Sequence, residues 1–468
     1  MTEQYIIDAC TGDNTPTLDD VLQQLNDFKT GFPFTNITSA ATIGNGITVP
    51  TEIPEMHPEQ YDIIKFVPAS GAATRMFRDL FEYLSTGVMN PTTQNVIENI
   101  TKFAFYDELK KLLPENATDH DIIKYIVTDC GLNYGNLPKG LLKFHKSATG
   151  AQTAVAEHLA EGAQYAASHG NVNIHFTVSP EHIAGFQQLL DSLIPIYEQQ
   201  TGLHYNISLS TQLPQTNTVA VTPDNTPFLD DNGNLLFRPA GHGALIENLN
   251  DLDADIIFIK NIDNVCPDHN RQDTIRTKRE LANYGLSVQE RIFAYLKALD
   301  SNTANMDEIR EFIKTTLGYR PSDNTDLRTI LNRPLRVCGM VLNTGAPGGG
   351  PFWVRDNAGN ESLQIVESAQ ISPEQKHILH QGQYFNPVDL VCFVRDYHGK
   401  KFDLRNHIDP RTGFISEKSY NGRPLRAMER PGLWNGAMAD WNTVFIAVPG
   451  TTFTPAKVVS DLIKPEHQ

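Results

Sequence analysis

Apolar residues run along this chain in two rhythms, short continuous stretches and longer ones at helical spacing. Their alternation predicts an α/β fold with parallel strands. Residues 61–67 (YDIIKFV) read as a strand that enters the small-residue turn PASGAATRM at 68–76. From 77 to about 136 the spacing is helical, with Val96, Ile100 and Phe103 on one face. Thr118 and Asp121 form a capping box ahead of Ile122, Ile123 and Ile126, and Gly131 closes that helix. A helix over 151–168 ends at Gly170 and leads to a strand at 172–178. Ser179 as N-cap and Pro180 at the first helical position then start a helix to about 200, followed by a strand at 205–209. The run DIIFIK at 255–260 predicts a buried strand, with Asp263 just past its C-terminal end, where open α/β sheets hold ligands and metals. Ahead of it, Gly241-His242-Gly243 is a Gly-x-Gly turn entering an apolar helical pattern. After Pro334 the pattern changes to short strands with glycine-rich turns, among them GAPGGG at 345–350.

This rhythm divides the chain into an N-terminal extension (1–56) with one helix at 18–28, an α/β core (57–333) carrying a helical insertion (77–136), and a substrate-facing C-terminal lobe (334–468). A length of 468 residues, 40% hydrophobic and 20% charged, suits a large globular core with added pieces. The net charge of -17 argues against non-specific nucleic-acid or anionic-membrane partners, since no basic block offsets it. Inward-facing Arg and Lys residues still allow a small anionic substrate. Residues 1–13 lack the basic start and apolar core of a signal peptide. No apolar run approaches the ~18 residues of a membrane helix, so a cytoplasmic protein is expected. The five dispersed cysteines fit reduced thiols better than a disulfide framework.

The turn at 68–76 joins strand to helix through small residues, a geometry in which backbone N–H groups and a helix N-terminus cradle phosphate. Arg75 beside Thr74 adds a guanidinium able to make paired hydrogen bonds to phosphate oxygens. The structural alternative is a tight turn with Arg75 in a surface ion pair. Lys139 emerges from the Pro/Gly-constrained segment LPKGL, although a lone lysine is usually just solvated. Cys266-Pro267-Asp268-His269 lacks a second ligand pair at metal-site spacing. The segment from Trp434 to Trp441 reads as packing or as sugar stacking, and His242 as a turn residue or a nucleotide contact.

Taken in order, SGAATRM (70–76), LPKGL (137–141), STQLP (210–214), RPAGHGAL (238–245), KNIDN (260–264), QIVES (364–368), YFNP (384–387) and FTPAKVVSDL (453–462) resemble the UDP-sugar pyrophosphorylase family over roughly 61–463. The resemblance implies a Rossmann-like, mostly parallel mixed sheet of the nucleotide-diphospho-sugar transferase type, with a nucleotide-binding core and a smaller β-rich, sugar-binding C-terminal lobe. It also suggests a bacterial branch of that superfamily. Residue by residue, it sets Ser70, Gly71, Thr74 and Arg75 along the nucleotide phosphates with Lys139 nearby. Gln212, Gly241, His242 and Gly243 fall at the base and ribose, Asp263 on Mg²⁺, and Glu367 and Asn386 on sugar hydroxyls. Lys457 would neutralise phosphate charge, so that Arg75, Lys139 and Lys457 form the catalytic set.

The expected activity is Mg²⁺-dependent transfer of a nucleotidyl group from a nucleoside triphosphate, UTP by the amide of Gln212, to a sugar 1-phosphate. Two departures bear on catalysis. Ala73 stands where relatives carry a glycine, and Lys139 lies unusually far beyond Arg75, with Lys143 and Lys146 as alternative counterparts. They give the alternative of a nucleotide-binding or regulatory protein without turnover. A metal-dependent glycosyltransferase is a third reading, disfavoured because such an enzyme has no need of the 71–75 turn or Lys457.

Overall fold

A computed structural model describes residues 6–7, 9–10, 12, 15–71, 73–148, 150–323, 325–345 and 348–468. Ala72 of the SGAATRM turn, and Ala346 and Pro347 of the GAPGGG turn, lie outside the described residues. The chain forms two compact units. The first comprises Met1–Met56, Gln212–Ile256 and Leu281–Val448, and the second His57–Thr211, Ile257–Glu280 and Pro449–Gln468.

In the second unit, Ile63–Pro68 runs parallel to Asn171–Thr177, which runs parallel to His204–Ser210. The strand through Lys260 lies on the other side of Ile63–Pro68. Helices fill the sequence between the strands, as the α/β rhythm requires. Ala154–Tyr165 starts at Thr153, whose side chain accepts from the Ala156 N–H, and Ile183–Thr201 follows a short 3-10 turn at Pro180–His182. Ser179 precedes that turn without capping it through its side chain; its hydroxyl donates instead to the Ser70 carbonyl at 3.0 Å. The segment read as a helical insertion carries Arg78–Thr86, Pro91–Glu98, Tyr106–Leu112 and Asp119–Val127. The capping box of Thr118 and Asp121 is present, but the helix closes at Val127 with Thr128 as its C-cap, ahead of Gly131. Gly131 serves the reversal that follows, since a Cβ there would lie 2.1 Å from the Tyr125 carbonyl oxygen.

Leu80, Val96, Leu109 and Ile126 on these helices pack into one core with Val67, Phe176 and Phe186. Each such fully buried side chain contributes on the order of 1.5–3 kcal/mol. The helices are therefore part of the second unit's own core rather than an appendage to it.

The first unit holds a mixed sheet. Leu335–Leu342 pairs parallel with Asn442–Ala447 and antiparallel with Asp389–Phe393. A second, four-stranded sheet carries Gly350–Arg355 and Glu361–Val366, and a hairpin joins Phe414–Tyr420 to Arg423–Glu429. Leu18–Thr30 is helical as the pattern predicts, with Thr17 accepting from the Asp20 N–H. All five cysteines are free thiols. Among the described residues no helix is long and apolar enough to cross a membrane.

Candidate functional site

Asp263 lies just past the fully buried strand Ile256–Lys260, after Asn261 and Ile262, and is itself 6% exposed. Two lysines converge on it within the second unit. Lys139 Nζ donates to Asp263 Oδ2 at 2.8 Å and to the Ala456 carbonyl at 2.8 Å. Lys457 Nζ lies 3.1 Å from Oδ2 and 3.4 Å from Oδ1. Burial alone would raise the Asp263 carboxyl, but the two ammonium groups outweigh it and hold the pKa below the ordinary range.

The return of the chain from the helical segment explains how Lys139 gets there. Ala73 N–H donates to the Leu137 carbonyl at 3.0 Å and Thr74 Oγ1 to the Gly135 carbonyl at 3.1 Å, so the residues just before Lys139 are stitched to the SGAATRM turn. Lys143 instead pairs with Glu108, and Lys146 donates to the Thr101 carbonyl. The Ala73 methyl is wholly buried in the core. Arg75 is exposed at the end of the 3-10 turn Ala73–Arg75. A Cβ added at Gly71 would meet nothing within 4 Å, so the space beside this turn is open.

A buried charge network adjoins the strand that leads to Asp263. Glu161 on the helix Ala154–Tyr165 receives Lys65 at 2.6 Å, Lys260 at 2.8 Å and the Tyr165 hydroxyl at 3.1 Å. His158 Nε2, on the same helix, lies 3.2 Å from the Ile262 carbonyl, next to Asp263 in sequence. Burial favours protonation of Glu161, yet Lys260 and Lys65 keep its pKa well below normal; burial brings Lys65 down to about 7.

A second cluster belongs to the first unit. His242 Nδ1 accepts the Leu433 N–H at 3.0 Å, which places the proton of the neutral ring on Nε2, 3.6 Å from Glu367 Oε1. Trp434 stacks on the imidazole with centroids 4.1 Å apart, and Asn435 Nδ2 donates to Glu367 Oε1 at 2.6 Å. The His242 ring beside it holds the Glu367 carboxyl below its usual range against the effect of burial. His242, read from sequence with the nucleotide group, thus stands beside Glu367 of the sugar group.

The neighbouring glycines are needed by the fold. Gly241 has φ +77°, and a Cβ at Gly243 would sit 2.1 Å from the Pro431 carbonyl oxygen. Asn386 is 4% exposed; its Oδ1 accepts the Val388 N–H and its Nδ2 donates to the Gly339 carbonyl. Val388 has φ +60°, an unusual conformation for a β-branched residue that Asn386 helps to hold. Gln212 donates to Thr216 Oγ1 and Asn217 Oδ1, both at 3.2 Å.

Sequence reasoning missed Asn435, Leu433, Glu161 and His158. For Asn435 and Leu433 the signal was weak, lying in or beside a segment notable only for its tryptophans. For Glu161 it was legible: Lys65 and Lys260 interrupt otherwise apolar strands, and a buried lysine calls for a buried acid.

Comparison with solved structures defines the class of fold. A mutant of the UDP-glucose pyrophosphorylase from Leishmania major superposes with TM-score 0.50 at 13% identity, covering 98% of this chain and 78% of that one. Another mutant of that enzyme, in complex with UDP-glucose, gives 0.49 at 13% over 97% and 75%. The uridine diphosphate N-acetylglucosamine pyrophosphorylase from Trypanosoma brucei gives 0.42 at 11% over 86% and 64%. At such identity the first of these likenesses carries the fold, a mixed α/β fold of the UDP-sugar pyrophosphorylase kind. The chain belongs to the family described as Domain of unknown function (DUF4301), whose model matches residues 11–468. No curated protein matches the sequence.

Proposed function

We propose that this protein is a cytoplasmic nucleotidyltransferase that joins a nucleoside triphosphate, UTP in our reading, to a sugar 1-phosphate and releases pyrophosphate with Mg²⁺ as cofactor. The observation that carries the reading is the convergence of Lys139 and Lys457 on Asp263 at the end of a buried strand. In the reaction, a phosphate oxygen of the sugar 1-phosphate attacks the α-phosphorus. A P–O bond forms, the bond from the α-phosphorus to the bridging oxygen breaks, and pyrophosphate departs with the electron pair. The nucleophile is already ionised at neutral pH, so no general base is required. Two polyanions must instead be brought together, and the chain's task is positioning and charge neutralisation. Arg75, Lys139 and Lys457 supply positive charge, Ser70, Gly71 and Thr74 line the phosphates, and Gln212 with the 241–243 turn reads the base and ribose. Glu367 accepts from sugar hydroxyls, oriented by Asn435 and His242, while Asn386 shapes the turn beside Val388.

Asp263 fits Mg²⁺ as a single ligand. Among the described residues no group of three or more His, Cys, Asp or Glu forms a metal cage. Mg²⁺ commonly takes one or two carboxylates together with substrate phosphates and waters. When bound, it would add charge neutralisation at the phosphates. Asp263 would hold the ion, and Lys139 and Lys457 beside it would face the phosphate oxygens.

A binding protein without turnover is the alternative drawn from Ala73 and the sequence distance to Lys139. The methyl of Ala73 is buried in the core and Lys139 reaches Asp263 at 2.8 Å despite that distance, so neither departure counts against turnover. A thermal-shift panel tests nucleotide recognition, because a ligand of the native state raises the melting temperature by mass action. Mg²⁺-dependent stabilisation by uridine nucleotides over ATP, GTP and CTP is expected. No shift with any nucleotide at millimolar concentration would contradict the reading.

A further inference from the structure

Lys457 is carried by the segment Pro449–Gln468, which lies in the same compact unit as Asp263 and is tied down far more heavily than a surface strap requires. Its first part zips onto the residues after the strand. Ala456 N–H donates to the Asp263 carbonyl at 3.0 Å, Thr454 N–H to Asn264 Oδ1 at 3.0 Å and Thr454 Oγ1 to the Val265 carbonyl at 3.1 Å. Val459 N–H donates to the Met76 carbonyl, joining the same segment to the SGAATRM turn.

Beyond Lys457 the segment is fixed at two more points. Asp461, 6% exposed, accepts the N–H groups of both Lys457 and Val458 on Oδ2 at 2.8 Å each, while its Oδ1 pairs with Lys464 at 2.7 Å. Further on, His467 Nδ1 meets His145 Nε2 at 2.8 Å, with the rings stacked 5.1 Å apart. His145 Nδ1 in turn meets Glu157 Oε1 at 2.8 Å, and Glu157 pairs with Arg271. His145, His467, Glu157 and Arg271 are all buried. Glu157 is one helical turn from Glu161, so one helix holds both the strand that delivers Asp263 and the segment that delivers Lys457.

A lysine side chain is long and loses considerable rotamer freedom when fixed. That of Lys457 is 49% exposed, so packing around it does little to set its direction. The ion pair with Asp263 at its tip and the backbone beneath it do. We propose that Asp461 is a positioning residue for Lys457, and that the Glu157–His145–His467 chain latches the segment carrying both. The functional meaning of that positioning rests on the nucleotidyltransferase reading; the positioning itself does not.

The test is acetylation of the full-length protein by an acylating reagent, with the rate at Lys457 read by mass spectrometry relative to exposed Lys29. Asp461→Ala should raise the Lys457 rate by about tenfold, the scale set by losing hydrogen bonds to a charged acceptor. Asp461→Asn, which keeps an acceptor oxygen, should restore most of the protection, and His467→Phe, which keeps the ring but not the hydrogen bond, should give a smaller rise. Lys143 and Lys146 should stay unchanged, whereas a general loosening would raise them too and overturn the assignment. Unchanged Lys457 labelling in folded His467→Phe and Asp461→Ala proteins would also overturn it. Pyrophosphate release from UTP and a sugar 1-phosphate, measured alongside, separates the two claims. Lys457 deprotection in a protein that never releases pyrophosphate supports the positioning and removes the catalytic reading alone.

Discussion

Lys139 and Asp263, 124 residues apart in sequence, meet at 2.8 Å between Nζ and Oδ2, and the same carboxylate receives Lys457 at 3.1 Å. One carboxylate between two ammonium groups is a cluster with a formal surplus of positive charge. The surplus suits an incoming polyanion, and the carboxylate holds the lysines in place until one arrives.

Replacing Asp263 with Asn removes the charge and keeps the shape. Turnover should fall by about 10²–10³-fold, the scale of losing one preorganised electrostatic group. Affinity for inorganic tripolyphosphate should not fall, because both lysines remain. Pyrophosphate-release kinetics and titration calorimetry together check this, and undiminished turnover would remove Asp263 from the chemistry.

Two glycines of the motifs should behave in opposite ways. Gly71 has open space where a Cβ would go and its φ is not positive, so Gly71→Ala should leave stability unchanged or raise it by ~0.4–1 kcal/mol while weakening nucleotide binding. At Gly243 the added Cβ would overlap the Pro431 carbonyl, and Gly243→Ala should cost about 1–3 kcal/mol or more. Denaturant unfolding of the two variants gives the comparison. A large stability loss at Gly71 would mean that the glycine serves the fold rather than a ligand.

The buried network predicts an asymmetry. Lys65→Met leaves Glu161 paired with Lys260 and should cost less than about 1.5 kcal/mol. Glu161→Gln leaves two buried lysines without their counter-ion and should cost about 3–5 kcal/mol. Equal losses in chemical denaturation would show that the three groups do not act as one network.

How much of this was legible in the sequence depended on the range of the interaction. Local signals served well: Thr118 and Asp121 cap their helix, and the apolar run ending at Lys260 is a buried strand with Asp263 at its end. The family resemblance supplied Lys139 and Lys457 separately; no local pattern says that both land on one carboxylate. Glu157, His158 and Glu161 look like the polar face of an amphipathic helix, yet all three are buried, because their partners come from strands and segments far along the chain. Ser179 is a good N-cap by residue type, but its hydroxyl is diverted to the Ser70 carbonyl by a tertiary contact. Glycine spacing likewise does not distinguish Gly71, with space beside it, from Gly243, pressed against backbone.

Acid stability should depend on His175, whose ring lies 2.7 Å from both Ser208 Oγ and Ser210 Oγ. Burial lowers its pKa from 6.5 to about 4. Between those values the unfolded chain binds the proton more readily than the folded one, so this contribution is intact above 6.5 and is lost as pH falls towards 4. His175→Asn should flatten the stability–pH curve in that window by up to ~1.4 kcal/mol per pH unit. An unaltered slope would show that the histidine titrates equally in both states.

The most direct test of the account is pyrophosphate release by the purified protein given UTP, Mg²⁺ and a panel of sugar 1-phosphates, with Lys457→Ala beside the wild type. Release should require both substrates and fall by about 10²-fold or more in the variant. Uridine-nucleotide binding without pyrophosphate release from any sugar 1-phosphate would contradict it and leave a binding protein on a pyrophosphorylase fold.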